Sequence, residues 1–273
     1  MFETRRPAVA GMFYPADPKE LRAMVDEMLA EVRGEPAPAR AAIVPHAGLI
    51  YSGRCAAQVW GRIAIPEVVV VIAPNHTGLF DNRAGAGAWD RGVFETPLGN
   101  VPVAQEFLEA VESECPLLLH DRAAHLREHA IEVELPFLRA VAPDARLAPI
   151  VLAWDEWEPV QQLARALAAT VEKWSTGVLL VASSDMTHHE SAASAAAKDE
   201  LALAAVRRLD AKELLDVCRR ERVTMCGRAP SAVVIEAARR LGAESAEVVD
   251  YRHSGWVTGD DSEVVAYAGV VIP

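Results

Sequence analysis

The sequence predicts an α/β fold: a single domain, with a mixed, largely parallel sheet covered by helices on both faces. Three short apolar runs carry this reading: Ala41–Val44, Val68–Ile72 and Val178–Val181. None alternates apolar with polar residues, as expected of strands buried on both faces. Stretches with apolar residues at helical spacing separate them, the pattern of strands crossing over through helices. Each run also ends in a polar segment bearing histidine: Pro45-His46-Ala-Gly, Pro74-Asn-His76-Thr-Gly, and Ser183-Ser-Asp185-Met-Thr-His188. The carboxyl ends of such strands are where open α/β sheets place their ligand sites.

At 273 residues, 51% of them hydrophobic, the chain can bury a sizeable core without a second domain. Its net charge of −12 argues against a nucleic-acid surface. No apolar run reaches the ~18 residues that a bilayer span needs. The N-terminus has two arginines but lacks the apolar core of a secretory signal, so a cytoplasmic location is expected. Cys55, Cys115, Cys218 and Cys226 form no C-x-x-C pair and read as reduced thiols.

The elements follow in order. Gly11–Pro15 is an apolar turn, and Asp17 caps a helix to about Val32, with Leu21, Met24, Val25, Met28 and Leu29 on one face. After Pro45 a helix is expected from near Ser52. Ala84–Val93 reads as strand or loop, Thr96–Gly99 as a turn and Val103–Val111 as a helix. Ala123–Glu134 reads as helical, with Pro136 marking a break or a new first turn. Ala145–Leu152 is a further strand and Glu158–Trp174 an amphipathic helix. Helices at Ala192–Arg208 and Ala211–Arg220 follow, and one opening near Cys226 runs to Leu241. Strands near Glu247–Tyr251 and Val264–Ile272 close the chain.

His46 and His76, each just past its own strand, are candidates to converge on one ion, because neutral imidazole is the commonest protein metal ligand. The competing reading is that each bonds loop backbone. Asp185 and His188 suit proton transfer, the aspartate orienting the ring or the histidine acting as acid–base; Asp185 as a simple turn cap is the alternative. Cys226 precedes a helix, in Met225-Cys-Gly-Arg228, as a nucleophile or a soft metal ligand. A His/His/Cys set with water in the fourth position suits zinc or ferrous iron. His129 and Glu132, three apart on an expected helix, form either a supporting pair behind the site, an additional proton-transfer group, or a surface pair. Tyr51 and Arg228 are candidates to line the pocket and orient a ligand. No G-x-S-x-G elbow, P-loop or H-E-x-x-H stretch is present.

Taken together, these motifs resemble the Memo family, also called AmmeMemoRadiSam system protein B. The matching stretches are Ala10–Pro15, Pro45–Gly53, Pro74–His76, Glu128–Phe137, Ser183–His188 and Cys226–Arg228, in order along nearly the whole chain. The resemblance implies a fold like that of the class III extradiol dioxygenases, which use non-haem ferrous iron. It implies a divalent metal, iron favoured over zinc or copper, held by His46, His76 and Cys226, with Asp185 and His188 beside it. The dioxygenases use a carboxylate as third ligand, so a thiolate there changes metal preference and redox behaviour. It further implies radical-SAM and AMMECR-type proteins as partners. The expected function is redox chemistry on an unknown small molecule. The alternatives are a non-catalytic module that binds a peptide or protein in the same pocket, and metal-independent chemistry at a Cys226 thiol of depressed pKa.

Overall fold

The computed structural model describes residues 3–273. In chain order its strands are β1 (Thr4–Arg5), β2 (Ala41–Val44), β3 (Val68–Pro74), β4 (Ala86–Ala88), β5 (Val93–Phe94) and β6 (Val101–Pro102). These are followed by β7 (Leu118–His120), β8 (Arg146–Leu152), β9 (Val178–Ser183), β10 (His188–Glu190), β11 (Glu247–His253) and β12 (Val264–Ile272). The principal sheet has nine strands in the order β10-β12-β2-β9-β3-β8-β4-β7, with β11 on the other edge of β12. Its centre, β2-β9-β3-β8, is parallel, while β12 and β4 run antiparallel to their central neighbours. The mixed, largely parallel sheet is as expected. A small separate sheet has the order β1-β5-β6, with β1 parallel to β5 and β6 antiparallel to it.

Every residue of β2 and β3 is buried, which explains their unbroken apolar runs. Helix Leu49–Trp60 packs against β2, β11 and β12 and is backed by Pro18–Leu29 and Leu135–Val141. A second helical layer, Gln105–Glu114, Trp157–Lys173 and Arg228–Arg240, is joined through the last of these to β2, β3 and β9. Burying each Val or Leu of the strands between the layers contributes about 1.5–3 kcal/mol.

Local chemistry fixes the element ends. The Asp17 carboxylate accepts the amides of Lys19 and Glu20, and Pro18 occupies the first turn. The helix after His46 starts at Leu49, earlier than Ser52, because the Leu49 amide donates to the Phe13 carbonyl at 2.8 Å and anchors that turn. The expected helix across Ala123–Glu134 is absent. A single turn, Ala123–Leu126, gives way to loop, and a 3-10 turn, Glu132–Glu134, leads into Leu135–Val141 with Pro136 in its first turn. The loop arises because Glu128 turns inward and accepts the amides of Ala130 and His76. β7, β10 and the small sheet carry no distinctive pattern and were not anticipated.

Register places the site. Val44 lies beside Ser183, and Ala182 beside Ile72, so the parallel strands β2, β9 and β3 end at one level. His46 and Asp185 each follow two residues past that level, side by side, and His76 follows from the next strand.

Candidate metal centre

His46, His76 and His129 converge. Their ring centroids lie 5.2 Å (His46–His76), 5.4 Å (His46–His129) and 4.6 Å (His76–His129) apart. One donor atom from each falls within 4.8 Å of the others, a spacing that can hold a metal ion. His46 and His76 belong to the group expected from their strand ends. His129 enters from the loop that replaced the expected helix; it does not pair with Glu132.

Each of the first two rings is held by its far nitrogen. The Glu128 carboxylate accepts the His76 amide at 2.6 Å and its Nδ1–H at 2.8 Å, leaving Nε2 for a ligand. Burial works against protonating His76, but the hydrogen bond and charge of Glu128 outweigh it and raise its pKa. His46 uses Nδ1 on Ser183 Oγ at 2.8 Å. Burial, reinforced by His76 and His129, holds His46 well below the ordinary histidine range, so it is neutral at pH 7. Burial also lowers His129, with partial compensation by Glu128.

Cys226 sits against His46, its Sγ 3.3 Å from Nε2, though outside the three-histidine group. Two donors at tetrahedral angles on one zinc-sized ion lie about 3.5 Å apart, given metal–sulfur and metal–nitrogen bonds of ~2.3 and ~2.05 Å. Gly227 makes this approach possible, since a Cβ there would lie 2.4 Å from the Ser183 carbonyl and 2.5 Å from the Ser184 Cβ. Burial, followed by the Asp185 charge, pushes the thiol well above its usual range. Burial of the sulfur therefore works against the depressed thiol pKa expected at this helix start.

Asp185 Oδ1 accepts the amides of His46 at 2.8 Å and Ala47 at 3.3 Å, and burial raises its carboxyl to about 7. It does not orient His188. Thr224 does so: its hydroxyl accepts the His188 amide at 2.7 Å and its carbonyl lies 3.1 Å from Nδ1. Because that carbonyl can only accept, the contact assigns the proton to Nδ1 and leaves Nε2 as the basic nitrogen, and burial lowers the ring's pKa against the backbone bonds of Met186 and Thr224.

The histidines, Asp185 and His188 line a cavity of about 470 Å³, completed by Phe13, Tyr51, Val265 and Tyr267. Tyr51 is therefore a wall residue, as expected. Arg228 is not: its Nε donates to Asp155 Oδ2 at 2.6 Å, and it lines a neighbouring cavity of about 450 Å³ whose wall includes Cys226. Glu132 faces away from the cavity. Fully buried, it binds the Arg5 guanidinium and accepts the Ala8 and Val9 amides and the Tyr14 hydroxyl. It thereby clamps the turn that carries Phe13, whose ring lies 4.8 Å from that of His129.

Fold and site together define a class: a mixed-sheet α/β protein with a three-histidine pocket able to hold a metal ion at the carboxyl edge of the sheet. The family model described as Memo-like protein matches residues 5–271. A MEMO1 family protein of Aquifex aeolicus is 41% identical over 268 residues, covering 98% of each chain. One from Methanopyrus kandleri is 36% identical, again over 98% of each chain. A third, from Thermotoga neapolitana, is 36% identical over 98% of this chain and 99% of its own. The chain belongs to the Memo family. No helix among the described residues is long and apolar enough to cross a membrane.

Proposed function

We propose that this protein is a metal-dependent redox enzyme acting on a small molecule, with non-haem iron the favoured ion and zinc or copper as alternatives. The observation that carries the reading is the convergence of three imidazoles on one point of a cavity that also holds His188. The donor set fits a divalent ion of this kind. Two rings are oriented by protein partners at Nδ1, and imidazole suits iron, zinc and copper alike. Cys226, beside His46, joins as a thiolate donor in this proposal and takes the place a carboxylate holds in the extradiol dioxygenases. A bound iron or copper would supply Lewis acidity and one-electron chemistry.

The chain's own residues bind, shield and move protons. Phe13, Tyr51, Val265 and Tyr267 exclude water from one side of the bound molecule. His188 Nε2 accepts a proton from it. Asp185, its carboxyl raised by burial, holds or returns one beside His46. The test loads the protein anaerobically with ferrous iron and adds nitric oxide, an oxygen surrogate. A paramagnetic iron–nitrosyl signal, lost in His76→Ala, is expected. Iron that binds yet gives no nitrosyl lacks an open position and would contradict the redox reading.

One observation favours a second reading, a module that binds a peptide or protein at the same pocket. Ile50, Trp256 and Val257, each more than half exposed, share a hollow with Tyr51 beside the cavity. That reading expects His188→Ala to leave partner binding intact; a substrate whose turnover the same variant abolishes would count against it.

A further inference from the structure

Glu132 and Glu134 lie in the same 3-10 turn, and both are wholly buried. Glu132 is matched by the Arg5 guanidinium. Glu134 has a different set of partners: its Oε2 accepts the Trp60 indole N–H at 3.0 Å, and its Oε1 lies 2.8 Å from Ser183 Oγ. Among the described residues no cation pairs with it. Ser183 Oγ meanwhile has three neighbours at one distance, 2.8 Å: Glu134 Oε1, the Ala130 carbonyl oxygen and His46 Nδ1.

A serine hydroxyl offers one hydrogen and two lone pairs. The Ala130 carbonyl can only accept, so the hydroxyl hydrogen is assigned to it. Both remaining neighbours must then donate to the oxygen: His46 through Nδ1–H, and Glu134 through a carboxyl hydrogen. This assignment leaves every group satisfied. Giving the serine hydrogen to Glu134 instead would leave two oxygens 2.8 Å apart with none between them, and would bury a carboxylate without a counter-charge.

We infer that Glu134 is a neutral carboxylic acid and a positioning residue for the metal centre: through Ser183 it fixes His46 as the Nδ1–H tautomer and turns the Nε2 lone pair toward the pocket. The inference deepens the reading of His46 as a metal donor and rests on it. Burial raises Glu134 to about 8, in agreement with the hydrogen count. The same tautomer lets Nε2 receive the Cys226 S–H in the metal-free protein.

The test compares Glu134→Gln, Glu134→Leu and Ser183→Ala by infrared difference spectroscopy and by zinc affinity in chelator competition. Gln is neutral and keeps both a donor for Ser183 and an acceptor for Trp60. Wild type minus Glu134→Gln should show a carboxylic-acid carbonyl band at pH 7. Zinc affinity should stay within about threefold in Gln and fall by ~10-fold or more in Leu and in Ser183→Ala, the range for partners that orient a ligand. Should Leu fail to fold, Ser183→Ala supplies the disrupting arm. A carboxylate band in place of the acid band, a Gln variant as damaged as the disrupting ones, or disrupting variants with wild-type affinity would each overturn the inference. If wild type itself binds no zinc, the metal reading fails, and with it the positioning role; the infrared result still decides the protonation state.

Discussion

Glu128 grips His76 twice, accepting both its backbone amide and its ring Nδ1–H. The ring therefore cannot turn without breaking a partly buried, charge-assisted bond. Replacement Glu128→Gln keeps the shape but weakens the hold and the polarisation of the imidazole. Metal affinity should fall by ~10–100-fold, read by chelator competition. An unchanged affinity would show that His76 needs no orienting partner.

Glu132 and Arg5 are buried partners 127 positions apart. Glu132→Ala strands the guanidinium without a counter-charge, a change that costs about 3–5 kcal/mol. Urea unfolding should show that loss, and a loss below about 1 kcal/mol would mean Arg5 finds another partner.

His125 is buried, donates Nε2–H to the Gly87 carbonyl at 3.0 Å, and is lowered to about 4 by that burial. The unfolded chain takes up its proton near pH 6.5 and the folded chain only near 4, so stability is present above that window and is lost as pH drops through it. The loss attributable to this residue is about 3 kcal/mol by pH 4. His125→Gln, which retains a donor for Gly87, should remove that share of the slope in unfolding measured between pH 4 and 7. An equally steep slope in the variant would shift the cause elsewhere.

Cobalt substitution separates the donors. If Cys226 ligates as proposed, the cobalt protein absorbs through a sulfur-to-metal charge-transfer band that Cys226→Ser lacks. A wild-type spectrum without the band would confine the donors to the three histidines.

The strands and the first two histidines were legible because local rules fix them. An unbroken apolar run, a proline or glycine stop and a histidine just beyond require no knowledge of distant residues. His129 was misplaced because its loop is dictated by Glu128 turning inward toward His76, 52 positions away, whereas the local spacing reads as helix. Glu134 was missed for the same reason. In Ile131-Glu-Val-Glu134 the alternating acids resemble a solvated face, and only Ser183, Trp60 and Arg5, all remote in sequence, reveal two buried glutamates in opposite electrostatic surroundings. The available signal was the density of acids in an apolar stretch just before Leu135-Pro-Phe-Leu138. Thr224 gave no signal at all, since nothing local marks a threonine that orients a histidine 36 positions away.

The most direct test is elemental analysis of anaerobically purified protein, wild type against His129→Ala, with circular dichroism to confirm that both fold. The account predicts a near-stoichiometric divalent metal in wild type, iron above zinc or copper, and its loss in the folded variant. Wild type that stays empty after metal addition, or a variant that keeps the full load, would contradict it.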